Sequence, residues 1–137
     1  MNKLISLATL LCGAAGLASC GETAATPAAT NGGKAAVVIT AADRQAAENK
    51  FKILCSTCHG PQGTGDGPAS IGLVPPPRNF QNAEWQASVT DEHIEKIIVG
   101  GGGAVGKAIT MPSNPDLKSK PGVVAALREH IRSLVKK

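Results

Sequence analysis

The sequence predicts an all-α domain with long loops, on three observations. Three stretches carry apolar residues at helical spacing, and none alternates apolar with polar residues as a half-buried strand does. Breakers are frequent: of 137 residues, 16 are Gly and 9 are Pro. Only Phe51, Phe80 and Trp85 are aromatic, so a core of large aromatic side chains is excluded. Val, Ile, Leu and Ala fill the interior alone, or a group not encoded as an amino acid helps. A net charge of +4 with 18% charged residues fits neither a disordered polyampholyte nor a nucleic-acid binder, which needs a basic cluster. The apolar content is too low for a multi-span membrane protein.

The chain opens with Lys3 and an almost uncharged apolar stretch over residues 4–18. That stretch is too short to span a bilayer and has the size of a signal-peptide core. It ends in Leu17-Ala18-Ser19-Cys20, which resembles a bacterial lipobox. The resemblance implies cleavage after residue 19 and a lipid on the Cys20 thiol, each buried CH₂ contributing about 0.8 kcal/mol of membrane affinity. An ordinary secretory signal cut near Ala14 or Ala15, with Cys20 incidental, is the other reading. Gly21, where an Asp would retain a Gram-negative lipoprotein at the inner membrane, tilts the expectation toward the outer one. Residues 20–40 then form the anchor cysteine and a flexible Ala-, Thr-, Gly- and Pro-rich linker, and residues 41–137 the folded domain. Val37, Val38 and Ile39 have the character to pack on that domain.

The first helix is expected over about 41–54, capped by Thr40, with Ala46, Ala47, Phe51 and Leu54 on one side. The second follows Thr90, has Asp91 and Glu92 in its first turn and buries Ile94, Ile97 and Ile98. The run Gly100 to Gly103 stops it. The third spans about 121–135, where Val124, Leu127, Ile131 and Leu134 make an apolar stripe. Between the first two lies a loop over about 60–88. A loop of that length in a small domain serves a function or wraps something.

At the end of the first helix stands Cys55-Ser56-Thr57-Cys58-His59. This is the C-x-x-C-H pattern of c-type haem attachment. Two thiols three residues apart can each add to a vinyl group on one edge of a porphyrin, and the adjacent imidazole then lies beneath the iron. Zinc would need a second Cys or His pair at short spacing, and His93 and His130 do not form one. A thioredoxin-type pair would need a βαβ pattern, which is absent. Of four cysteines, Cys12 leaves with the signal and Cys20 carries lipid, so Cys55 and Cys58 are the pair left in an oxidising compartment. The second axial ligand is expected from Met111, beside Pro112, since no other methionine follows the signal. A thioether is a soft ligand that raises the potential of an electron-transfer haem. The alternative is that Met111 fills a gap in the core.

With Phe51 ahead of the motif, Gly67-Pro68 and Met111-Pro112 after it, and a closing helix ending Ile131-Arg132-Ser133-Leu134, the chain from about 41 to 134 resembles a small class I cytochrome c. The resemblance implies three to four helices and long loops around one covalently bound haem c, with the first and last helices crossing. It further implies that the Pro68 carbonyl accepts the Nδ1–H of His59, fixing the tautomer of the ligand. His130 stands where the family offers an aromatic residue that packs near Phe51. Arg78 and the Trp85 indole N–H are candidate partners for the haem propionates, whose charge needs donors when buried.

The expected function follows. With both axial positions filled by His59 and Met111, the iron has no open site for substrate, so the expectation is a one-electron carrier and no enzyme. It would be exported, lipid-anchored facing the periplasm and monomeric, passing electrons between respiratory or dehydrogenase partners. Lysines such as Lys50, Lys52, Lys107, Lys118 and Lys120 would favour acidic docking surfaces. Two alternatives stand beside it: a ligand-responsive haem protein or weak peroxidase in which Met111 dissociates, given room by the four glycines, and a fixed cytochrome subunit of a larger oxidoreductase.

Overall fold

The computed structural model describes residues 37–136. The signal stretch, Cys20 and the linker up to residue 36 lie outside the described residues. Ile39 packs on the core, whereas Val38 is exposed.

Helix α1 is Ala41–Lys50, and its start is set by a reciprocal cap. The Asp43 N–H donates to Thr40 Oγ1 at 3.1 Å, and the Thr40 N–H donates to Asp43 Oδ2 at 2.9 Å. Donation from the Thr40 hydroxyl, at 2.7 Å, and then from its N–H holds the Asp43 carboxyl below its usual range. The helical path does not stop near residue 54 as expected. It passes through a π turn, Phe51–Cys55, into α2, Ser56–His59.

Helix α3, Ala83–Ser88, lies inside the stretch expected to be loop, with Asn82 Oδ1 accepting the Trp85 N–H at 2.6 Å. Helix α4, Asp91–Gly100, starts after Thr90 as expected, the Thr90 hydroxyl accepting the His93 N–H at 3.2 Å, and buries Ile94 and Ile98, while Ile97 is only half-buried. Helix α5, Pro121–Ser133, begins on a proline, whose missing N–H costs nothing in a first turn. Short 3₁₀ turns occupy Pro68–Ser70, Gly102–Val105 and Pro115–Leu117. No strand occurs among the described residues.

Burial on α5 is wider than one stripe, because α5 packs on both α1 and α4. Gly122, Val123, Val124, Ala125, Ala126, Leu127 and Ile131 are all buried. Small residues at 125 and 126 let the neighbouring helices approach closely. Leu127, at 1% exposure, sits at the centre of a core shared with Ala47, Phe51, Ile94, Ile98 and Leu117. Ion pairs fasten α5 to α4: Arg128 Nη1 meets Asp91 Oδ2 at 2.9 Å, and Arg132 Nε meets Asp91 Oδ1 at 2.9 Å. Arg132 also donates to the carbonyls of Gln86 and Val89, so one side chain ties the connection between α3 and α4 to α5. The expected contact between the first and last helices is present, and His130 packs there, its ring 4.3 Å from that of Phe51 in an edge-on arrangement.

Candidate haem site

The C-x-x-C-H motif occupies the π turn and α2, so Cys55, Cys58 and His59 all stand at the end of one continuous helical path. Carbonyls at a helix C-terminus need partners, and here a glycine loop supplies them. The N–H groups of Gly60, Gly65 and Gly67 donate to the carbonyls of Ser56, His59 and Cys58 at 2.9, 2.8 and 3.0 Å. Gly67 lies so close to the Ser56 and Thr57 carbonyls that a Cβ would collide with both. The glycines following the motif therefore wrap the helix end.

The His59 imidazole is buried, and two contacts fix its plane. Its Nδ1 lies 3.1 Å from the Arg78 carbonyl, and its ring stacks on Phe80 with centroids 4.4 Å apart and planes 16° apart. This corrects the expectation that Pro68 supplies the carbonyl. The loop doubles back: the Phe80 N–H donates to the Gly63 carbonyl at 2.7 Å, which brings residue 78, not 68, over the imidazole. With Nδ1–H donated to a carbonyl, Nε2 carries the free lone pair, as a metal ligand requires. Burial pushes the His59 pKa down while the Arg78 carbonyl pulls it back in part, so the ring is neutral at pH 7. Burial raises the Cys55 thiol.

One apolar cleft collects three of the predicted groups. Cys55, His59 and Met111 line it together with Phe51, Phe80 and Ile98. Cys58 stands one helical turn from Cys55 but outside that lining, its Sγ 4.0 Å from the Ala69 carbonyl. Met111 arrives from a separate segment, 52 residues after His59 in the chain. A thiol, a neutral buried imidazole and a thioether around an apolar cleft, with a second thiol one turn away, suit a flat, apolar iron macrocycle. Among the described residues no three His, Cys, Asp or Glu side chains gather as a metal cluster.

Other predicted residues fall at the margin. Pro68 is exposed and begins a 3₁₀ turn. The Arg78 guanidinium lies 5.9 Å from the centre of the half-buried Trp85 ring, and Trp85 in turn lies 5.5 Å from Phe80. Lys50 is engaged with Asp116 at 2.9 Å, which holds the Asp116 carboxyl below its usual range. It is therefore not one of the free surface lysines it was expected to be.

Two residues at the cleft were missed. Phe80 was legible in hindsight, as one of only three aromatic residues in the chain, all of which stand in or behind this site. Asn114, buried in the cleft wall, had no such signal. The glycine run also reads differently in the structure. At Gly101, φ is +72°, and a Cβ would come within 2.8 Å of the backbone at residues 111–113. At Gly102 a Cβ would collide with the Ala108 carbonyl. Gly101 and Gly102 are thus a site of close approach rather than slack, whereas Gly103 has ordinary room.

Comparison with known proteins follows the same line. The cytochrome c family model matches residues 45–134. Among solved structures the chain is similar to the KustC0563 c-type cytochrome, at 31% identity and a TM-score of 0.50, with 66% of this chain and 98% of that one covered. No curated protein matches.

Proposed function

The chain belongs to the cytochrome c family, and from that premise we propose that it carries single electrons on a haem c bound to Cys55 and Cys58, with His59 and Met111 as axial ligands. Membership itself implies haem-based electron transfer. The observation that carries the finer reading is that Cys55, His59 and Met111 share one apolar cleft.

A bound haem c supplies a one-electron iron couple. Every other contribution comes from the chain. Cys55 and Cys58 fix the group in register with the helix, and His59 offers a neutral Nε2 held by the Arg78 carbonyl and the Phe80 ring. Phe51, Phe80 and Ile98 would exclude water from the bound group, which favours its less charged reduced state. Met111 would hold the iron together with His59 and so leave no place for a substrate. Arg78 and the Trp85 indole are the proposed propionate partners. The close approach at Gly101 and Gly102 favours this reading over a ligand-responsive protein.

The proposal extends to the cell. The chain is exported and anchored through a lipid on Cys20, facing the periplasm, with the outer membrane favoured. A monomer, it meets redox partners that dock through acidic surfaces. No helix among the described residues is long and apolar enough to cross a membrane. A linker then makes encounter depend on local concentration.

The test is spectroscopic. The oxidised, haem-loaded protein should show the weak near-red sulfur-to-iron band, and Met111→Ala should abolish it and lower the reduction potential. A high-spin or bis-histidine spectrum in the unaltered protein would remove Met111 from the ligand set.

A further inference from the structure

We propose that Asn114 is a positioning residue that holds Met111 in the cleft by clamping its segment to the end of α4. The proposal rests on the reading of Met111 as an axial ligand. Helix α4 ends at Gly100, so its last carbonyls lack partners within the helix. The Gly101 N–H takes the Ile97 carbonyl at 2.8 Å. Asn114 alone takes the next two: its side-chain Nδ2 donates to the Ile98 carbonyl at 2.7 Å, and its backbone N–H donates to the Val99 carbonyl at 2.8 Å. A short side chain with an amide N–H₂ is what this double contact needs.

Asn114 is only 8% exposed, one of two buried polar side chains among the described residues, the other being His59. Both line the cleft, and so does Ile98, whose carbonyl the Asn114 amide holds. Upstream, the Gly102 N–H donates to the Met111 carbonyl at 3.0 Å, so Met111 is pinned on both sides to one helix end. Between Met111 and Asn114, Pro112 has no donor and Ser113 is exposed, which makes Asn114 the first anchor after the sulfur. Without its amide, the buried Ile98 carbonyl loses its partner, and the segment that carries Met111 keeps only the backbone bond to Val99 on that side, a looser hold.

The experiment uses the full haem-loaded protein and reads its affinity for added imidazole in the oxidised state. Imidazole binds only when Met111 has left the iron, so its apparent affinity rises with the population of released states. Asn114→Asp, which keeps the size but sets an acceptor against the Ile98 carbonyl, should bind imidazole about tenfold more tightly and weaken the near-red band. Val124→Ala, which destabilises the core away from the cleft, should leave that affinity within about twofold. An Asn114→Asp affinity as close as that to the unaltered protein overturns the proposal.

If Asn114→Asp does not fold, hydrogen exchange on the unaltered protein decides. Saturating imidazole should strip protection from the Gly102 and Asn114 amides while the α5 amides keep theirs, and unchanged protection at Gly102 and Asn114 overturns the clamp. Should Met111→Ala leave both the band and the imidazole affinity unchanged, the ligand assignment itself fails, whatever Asn114 does.

Discussion

The face where α5 meets α1 and α4 and the face made by residues 60–82 and 101–114 are built by opposite means. The first is held by side chains: buried Val123, Val124, Leu127 and Ile131, and the guanidinium groups of Arg128 and Arg132 on Asp91. The second is held largely by backbone. Glycine N–H groups meet helix-end carbonyls, and the chain closes on itself where no Cβ fits. Phe80 is buried there and Asn114 lends a side-chain amide, but Ile71, Val74 and Ile109 stand at 87, 89 and 86% exposure. A surface that spends its backbone on shape keeps its side chains free to face a ligand or a partner, but gains little stability from them. Phe51, Ile98, Leu127 and Ile131 belong to both worlds, since they are core residues that also line the cleft.

The largest effect should come from removing what the loops enclose. Cys55→Ser combined with Cys58→Ser should leave no covalently held haem and no cooperative thermal transition, measured by circular dichroism. A sharp transition in that haem-free variant would show that the side-chain face suffices alone and that the contrast is drawn too strongly.

A smaller loss is expected from the packed face. Leu127→Ala should cost about 2–5 kcal/mol in denaturant unfolding, the range for emptying a well-packed site, while haem stays attached. A cost below about 1 kcal/mol would mean that the site collapses freely and that packing there is loose.

The smallest effect is a pH slope. Burial holds His130 below its ordinary 6.5, with the Glu48 charge opposing in part, and its Nε2 is buried without a partner. As pH falls below 6.5 the unfolded chain takes up the proton first, so stability declines until the lowered native value is passed. His130→Phe should flatten that slope while leaving stability at neutral pH little changed, read from melting temperatures across the acid range. An unaltered slope would assign it to other groups.

What was legible in the sequence was local. The Thr40 cap, the start of α4 after Thr90, the α5 stripe and the haem motif each depend on residues a few positions apart. What was not legible depends on distant partners. Helix α3 lies in a loop-like stretch and is tied down by Gln86, whose Nε2 donates to the Ile131 carbonyl at 2.9 Å, 45 residues away. The π turn leaves no mark in the residue types of 51–55. Asn114 sits in Pro112-Ser113-Asn114-Pro115, which has the composition of any surface turn, and only the path of α4 makes it a buried donor. The glycine run misled for the same reason. A glycine signals freedom or close approach equally well, and the segment at residues 111–113 that passes Gly101 decides which.

The carbonyl that holds His59 belongs to Arg78, and a carbonyl is common to every residue. Position 78 can therefore change its side chain without losing the bond that orients the imidazole, provided the backbone keeps its course between Pro77 and Phe80. A scan of substitutions that reads only the orientation of the imidazole would score this site as permissive, whatever the guanidinium does for the propionates. Variability of a side chain and dispensability of a position are different properties, and residue 78 separates them.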